Sequence, residues 1–395
     1  MRAGLGVTFV GHDASRTGAP IVLRSLLRWA HRNTDDRVDV VLRRGGPLVA
    51  DYRSFAPVLE LGSAALDLAG GARRAAASVG LPAGPVEAAE RLVLRHRARR
   101  LGASDVVVAN TLASLGTALA LAGDAPVVCH VHELDHVAAR VLGARDRPLL
   151  DRVAHFVATG DAVRRMLCER WAIDEGRVTV IDAFIDEPRP AAEAVRAARR
   201  ALGEPDRPVV LSVGALGHRK GPEQFVDLLA ALSDHPSRPM GVWLGGELDG
   251  PAAAELRADV ARAGLEGSFR LLGAVEDPLP YVAAADVVVS TAREDPFPLS
   301  LLEAAALGRP VVSSRSGGLA EALVGWQGPS HVVDVGDVLA MASVVGRLLD
   351  DPDGAGTVGA ASAAAVRASH LTEQLAPVLW DTIRGLAASN GASAR

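Results

Sequence analysis

A lysine in a glycine-rich turn and two carboxylates eight residues apart are the groups in this chain whose chemistry is easiest to name. The turn reads Gly214-Ala215-Leu216-Gly217-His218-Arg219-Lys220-Gly221-Pro222. Glycines let backbone amides come close to a ligand, and proline suits the first position of a helix. A helix N-terminus beside an ammonium group attracts an anion by geometry and by field. The glycine spacing fits neither a dinucleotide fingerprint nor a P-loop, so the turn alone reads equally as an ordinary loop with a solvated lysine. The carboxylates are Asp295 and Glu303, within Thr291-Ala292-Arg293-Glu294-Asp295-Pro296-Phe297-Pro298-Leu299-Ser300-Leu301-Leu302-Glu303. A loop carboxylate ahead of a helix can grip sugar hydroxyls, and one inside the helix can accept both hydrogen bonds of a ribose diol. Glu294 reads as a complement to the helix dipole. Glu303, set among Leu301, Leu302, Ala304 and Ala305, reads as buried and partnered.

The densest polar cluster lies elsewhere, in His130-Val131-His132-Glu133-Leu134-Asp135-His136, after an apolar run. Imidazole and carboxylate suit zinc, so a zinc hydrolase using His130, His132, Asp135 and His136 is one reading. The metallo-β-lactamase-like pattern His-x-His-x-Asp-His is one residue shorter, which would turn the ligands the wrong way. Asp351-Pro352-Asp353 is the only Asp-x-Asp in the sequence and sits in a Pro/Gly turn, poor support for a metal-bridged diphosphate. Asn110 reads either as an acceptor contact or as a strand cap. The segment Gly11-His12-Asp13-Ala14-Ser15-Arg16-Thr17-Gly18 opens a helix, and Arg16 reads equally as solvated or functional.

The elements that must hold these groups repeat along the chain. Short β-rich runs at Gly6–Val10, Val38–Leu42, Val106–Ala109, Val127–His130, Phe156–Thr159 and Val178–Ile181 alternate with helical stretches. After the proline-rich Asp186–Pro208 the alternation restarts with Val209–Val213, Gly241–Leu244, Phe269–Leu272, Val287–Ser290 and Val311–Ser313. Strands apolar on both faces and separated by helices predict parallel sheets covered on both sides. The expected architecture is α/β, with two Rossmann-like doubly wound domains in tandem. The expected boundaries are a first domain over 1–188, a linker over 189–207, a second domain over 208–375, and a crossing helix with a frayed tail over 376–395. In such sheets ligands bind beyond the carboxyl ends of the strands, where both motif loops stand.

Bulk properties narrow the class. A chain of 395 residues exceeds one ordinary core, and a net charge of −5 argues against nucleic acid as a partner. Two isolated cysteines and the lack of an 18-residue apolar run fit a reducing cytoplasm without a spanning helix. The N-terminus reads as a first strand rather than a signal peptide. Arg91, Arg95, Arg97, Arg99 and Arg100 crowd a stretch with Val86, Leu92, Val93 and Leu101. That stretch is either a solvated basic face or a helix docking peripherally on anionic lipid at the inner face of the membrane.

Taken together, Gly214…Lys220-Gly221, Asp295-Pro296-Phe297…Glu303-Ala304, Gly308-Arg309-Pro310-Val311-Val312 and Gly317-Gly318-Leu319-Ala320-Glu321 resemble, in order and spacing, the motifs of family 4 glycosyltransferases. These are retaining enzymes of the GT-B fold, and the resemblance covers essentially the whole chain. Asp295 stands where the family's acid-seven-Glu signature usually begins with Glu. The resemblance implies that two domains close over a cleft holding a nucleotide-diphosphate-sugar, a substrate that needs no metal or other cofactor. It implies that Lys220 and the Gly214 loop bind the donor diphosphate, that Glu303 binds the ribose, and that Asp295 with the backbone of Phe297, Pro298 and Leu299 faces the donor sugar. Gly273 and Val275, with Gly245-Gly246, would hold the base. Gly18 would approach the phosphates, His132 would contact the transferred sugar, and His12, Arg16 and Asn110 would lie on the acceptor side. The family often carries an arginine where this chain has Ala215, and Arg219 or Arg293 is expected to replace it. The implied activity is sugar transfer to a hydroxyl of a natural product, a glycan lipid or a small metabolite. A GT-B sugar phosphorylase or a sugar-nucleotide epimerase is the alternative.

Overall fold

The structure, a computed structural model, describes residues 4–62, 94, 96, 101–143, 146–203, 207–328 and 331–393. The chain forms two compact units, Met1–Ala183 with Thr372–Arg395, and Phe184–Leu371.

The first unit is built on β1 (Gly6–Gly11), β2 (Arg37–Leu42), β3 (Val58–Glu60), β4 (Val106–Ala109), β5 (Val127–Val131), β6 (His155–Ala158) and β7 (Val178–Val180), in the sheet order β3-β2-β1-β4-β5-β6-β7. The second carries β8 (Val209–Val213), β9 (Met240–Leu244), β10 (Phe269–Gly273), β11 (Val287–Ser290), β12 (Val311–Ser314) and β13 (Val332–Val333), in the order β10-β9-β8-β11-β12-β13. Every strand pair described in either sheet is parallel. Central strands such as β4 and β11 are buried throughout, as a parallel sheet covered on both faces requires. Both sheets are doubly wound, α/β in class. Strand order reverses between β1 and β4 in the first unit and between β8 and β11 in the second. Loops that leave neighbouring strands in opposite directions leave a crevice at such a point.

The units divide between Ala183 and Phe184 and again between Leu371 and Thr372, a few residues from the boundaries expected at 188 and 375. The segment expected as a linker, 189–207, carries the helix Ala192–Leu202, which belongs to the second unit. Leu202 is fully buried, and the Arg199 guanidinium donates to Asp286 at 2.7 Å and to the Ala284 carbonyl at 3.0 Å. Pro188 and Pro190 precede this helix and Pro208 follows it.

The last helix, Thr372–Ser393, returns to the first unit. Trp380 is buried against Phe9 of β1, ring centroids 6.0 Å apart. Its indole N–H donates to Asp36 Oδ2 at 2.8 Å, and Arg384 donates to both oxygens of the same carboxylate at 2.8 and 3.0 Å. Burial pushes the Asp36 carboxyl up, but the hydrogen bonds from Arg384, Trp380 and the Leu5 amide outweigh it and hold the group below its ordinary value. Arg91, Arg95, Arg97, Arg99 and Arg100 lie outside the described residues. Among the described residues no helix is long and apolar enough to cross a membrane.

Trp380→Ala is expected to destabilise the protein by about 3–5 kcal/mol in denaturant unfolding, the usual cost of emptying a buried aromatic site. The Asp36 contribution has a definite sign. A carboxyl that titrates lower folded than unfolded stabilises above its unfolded value, so this contribution is lost as pH falls through the depressed folded value. Asp36→Asn is expected to be costly at neutral pH and nearly neutral in acid.

Candidate functional site

In the second unit, β8 and β11 lie side by side, and the loops at their carboxyl ends carry the two motifs. After β8 the chain makes a turn at His218–Lys220 and enters the helix Pro222–Ala231 through Gly221, whose φ is +65°. A Cβ at Gly221 would lie 2.3 Å from the Thr291 carbonyl oxygen. Only glycine combines that left-handed conformation with that approach. The two loops are then tied together: Thr291 Oγ1 donates to the Gly221 carbonyl at 2.8 Å, and the Arg293 amide donates to the Arg219 carbonyl at 2.8 Å. This brings the Lys220 ammonium into an ion pair with the Asp295 carboxylate, with side chains 19% and 8% exposed. Arg219 Nη1 lies 3.9 Å from the same carboxylate oxygen and donates to the Glu294 carbonyl at 2.7 Å.

The Asp295 loop is clamped from its other side. The Asp295 amide donates to the Ser316 carbonyl at 3.0 Å, and the Gly318 amide to the Pro296 carbonyl at 2.8 Å. A Cβ on Gly317 would fall 1.6 Å from the Asp295 carbonyl oxygen, so no side chain fits there. Phe297 is buried, Pro298 precedes the helix Leu299–Ala306, and that helix buries Leu299, Leu301 and Leu302 while Glu303 stays half-buried.

Of the two arginines, Arg293 is committed elsewhere. Its guanidinium donates to the His218 carbonyl at 2.7 Å, pairs with Glu223, and meets the Gln224 amide oxygen once that amide is oriented to accept. Arg219 is the one beside Asp295. The ends of the neighbouring strands join the same edge: Gly214 N donates to the Leu244 carbonyl at 2.9 Å and Gly245 N to the Gly273 carbonyl at 2.7 Å. Val275 follows in the loop after β10, half-buried. Sequence reasoning missed Trp243, a buried residue of β9 whose indole N–H holds the Gly214 carbonyl at 3.0 Å. It missed Thr291 as well. Both lie one element away from the motif they secure.

The first unit repeats the arrangement with neutral groups. At the ends of β1 and β4, His12 Nδ1 and Thr111 Oγ1 share a hydrogen bond at 3.2 Å. Asn110 Nδ2 donates to the Ala19 carbonyl at 3.1 Å, tying β4 to the helix Gly18–Asn33, while its Oδ1 is buried without a partner among the described residues. Asn110 is therefore a tie between elements with one acceptor to spare. Arg16 and Gly18 are exposed ahead of and at the start of that helix. At the end of β5 the rings of His130, within the strand, and His132, just beyond it, sit 4.1 Å apart. Burial, then the neighbouring imidazoles of His130 and His12, pushes the His132 pKa well below its ordinary value, and burial takes His130 down to about 3. Both are neutral near pH 7, and His132 Nε2 is buried with no partner among the described residues.

Glu133, the acid that follows His132, is the buried anchor of this corner. Its carboxylate accepts from the amides of Leu112 at 3.0 Å and His132 at 2.9 Å, and burial raises its pKa to about 7.

The zinc reading does not hold. Asp135 opens the helix Asp135–Val141 and pairs with Arg170 at 2.8 Å. Among the described residues no three His, Cys, Asp or Glu side chains are grouped to hold a metal. The extra residue in the motif places Asp135 and His136 on a helix instead of beside the imidazoles. Asp351 caps a helix by accepting from the Gly354 amide at 3.0 Å.

Comparison with known proteins supplies the context. Residues 16–189 match the family described as Glycosyltransferase Family 4, and residues 207–351 match Glycosyl transferases group 1. A D-inositol 3-phosphate glycosyltransferase of Jonesia denitrificans is 32% identical over 225 residues, 54% of this chain and 50% of its own. A 2-deoxystreptamine glucosyltransferase of Streptomyces kanamyceticus is 30% identical over 225 residues, 55% of this chain and 57% of its own. The matched part thus spans little more than half the length of these curated relatives. Among solved structures, Anabaena HepE in complex with UDP aligns over 96% of this chain and 100% of its own, with a TM-score of 0.75 at 21% identity, a likeness of fold.

The Glu133 carboxyl titrates higher in the folded protein than its ordinary value of 4.5. Such a group contributes stability fully below its unfolded pKa and loses it as pH rises through the folded one. Unfolding free energy followed from about pH 4 to pH 8 should therefore carry a component that falls between about 4.5 and 7 and levels off above 7. Glu133→Gln, which cannot titrate, should remove that component.

Proposed function

Because this chain belongs to the family 4 glycosyltransferases and has their two-domain GT-B fold, we propose that it moves a sugar from a nucleoside diphosphate sugar to an acceptor hydroxyl, retaining the anomeric configuration and using no metal. The observation that carries the reading is the meeting of Lys220, Arg219 and Asp295 at the reversal point between β8 and β11, in front of the helix Pro222–Ala231. Two cations facing one carboxylate leave a positive excess. Adding the amides of a helix N-terminus makes a site suited to a diphosphate.

In this reading Lys220, Arg219, the Pro222 helix and the Gly18 loop stabilise the charge that grows on the leaving diphosphate, as fixed cations and dipoles do without reorganising. The Gly214 loop lets the phosphates approach the backbone. Glu303 accepts from the ribose diol, Gly273 and Val275 flank the base, and Asp295 with the backbone of Phe297–Leu299 holds the sugar hydroxyls. Bond formation to the acceptor takes place on the face the diphosphate leaves, and a phosphate oxygen takes the acceptor proton. His132 is neutral and has a buried nitrogen to spare, which suits it to orient the transferred sugar by a hydrogen bond. His12, Asn110 and Arg16 serve the acceptor side, where a small molecule or a lipid-linked alcohol is taken. The printed names of the relatives, glycosyl transfer to D-inositol 3-phosphate or 2-deoxystreptamine, are in keeping with a hydroxyl acceptor. The reaction is placed in the cytoplasm, where nucleotide sugars are the expected donors.

Lys220→Ala is expected to lower turnover by about 10²–10³-fold, the usual cost of removing one donor to a developing anion, with an unchanged circular dichroism spectrum. Nucleotide release from a panel of nucleotide sugars, assayed with a chelator present throughout, checks both points. Near-normal turnover of the variant would remove Lys220 from the site, and loss of wild-type activity to the chelator would overturn the metal-free mechanism.

A further inference from the structure

Phe297 stands between Asp295 and the helix Leu299–Ala306, and its ring is held by a residue remote in sequence. It stacks on the imidazole of His370, centroids 5.7 Å apart with 23° between the planes. His370 is itself nearly buried, at 7% exposure, and fixed on several sides. Its Nδ1 shares a hydrogen bond with Ser369 Oγ at 2.7 Å, and its carbonyl accepts from the Ile185 amide at 3.1 Å. The ring of Trp326 meets it edge-on at 5.1 Å.

Trp326 belongs to the helix Gly318–Gln327, whose entry at Gly317 and Gly318 clamps the backbone of Asp295 and Pro296. One helix therefore holds this loop twice, at its backbone directly and at the Phe297 ring through His370. A flat ring against a flat ring sets orientation as well as distance, which an aliphatic contact does not.

We infer that His370 is a positioning residue for the donor sugar: through Phe297 it fixes the backbone and the Asp295 carboxylate that face the sugar hydroxyls. The inference rests on the reading of the second unit as the donor domain. In that reading the nucleotide is held by different parts, the Lys220 turn, Glu303 and the Gly273–Val275 loop. Loss of the stack should therefore weaken a sugar-bearing ligand and spare the bare nucleotide. A merely structural role would move both together.

Calorimetric titration of the full chain with UDP, GDP, ADP and dTDP, each bare and as its glucose conjugate, identifies the nucleotide that binds. For that nucleotide, His370→Ala is expected to weaken the conjugate about tenfold and to leave the bare diphosphate within about twofold of wild type, since small misplacements of a positioning group are costly. His370→Phe keeps a flat ring and should preserve the wild-type ratio of the two affinities, while His370→Leu has bulk without a flat face and should not. An unchanged ratio in both the Ala and Leu variants, or a parallel loss of both affinities, overturns the inference. Should the Ala variant not fold, the Phe and Leu variants decide, and equal ratios in those two overturn it. Failure of all eight compounds to bind the wild-type protein is a different outcome, which sinks the donor reading and this inference with it.

Discussion

A single ion pair at the reversal point of the second sheet, Lys220 to Asp295, organises the rest of that unit. It exists only because two loops from adjacent parallel strands are brought into register, and each supporting feature serves that end. Gly221 lets the first loop pass under the Thr291 carbonyl, Gly317 lets the second lie against Ser316–Gly318, and Arg293 is used up in holding the turn that presents Lys220. In a partly dry environment such charges interact far more strongly than in water. Arg219 stands close behind, so the excess positive field is a built property of the loop.

The first unit solves the same topological problem with different chemistry. At its own reversal point stand imidazoles kept neutral by burial, a carboxamide and a carboxyl tied to backbone amides. In the proposed function a diphosphate calls for the fixed charge of the second unit, whereas an alcohol acceptor calls for the neutral donors and acceptors of the first. The contrast between the two crevices follows that division. Burial decides it: at the end of β5, where His130 and His132 lie, a charged ring would lose the water that supports it.

Much of this was legible in the sequence. Valine-rich runs separated by helices fixed both sheets, and eleven strands fall where their composition places them. The two that escaped, Val58–Glu60 and Val332–Val333, are edge strands of three and two residues, too short to show a pattern. Lys220, Asp295 and Glu303 stood out because glycine, proline and acid spacing is local information. Glu133, Thr291, Trp243 and His370 did not, because each acts on a partner from another element. The proline-rich stretch with its helical Ala/Arg segment reads as a linker for the same reason: Arg199 finds Asp286 only once β11 lies beside β8. The choice between Arg219 and Arg293 also needed coordinates, since both flank the motif and only their partners distinguish them.

The central claim is that the loops Gly214–Gly221 and Thr291–Leu299 together form a nucleotide-sugar site, the first facing the diphosphate and the second the sugar. Amide hydrogen exchange with and without a saturating nucleotide sugar tests it most directly. The account predicts protection concentrated in those two loops and in the first turn of the helix that begins at Pro222. Protection that spares both loops while appearing elsewhere, under conditions where binding is independently established, would contradict it.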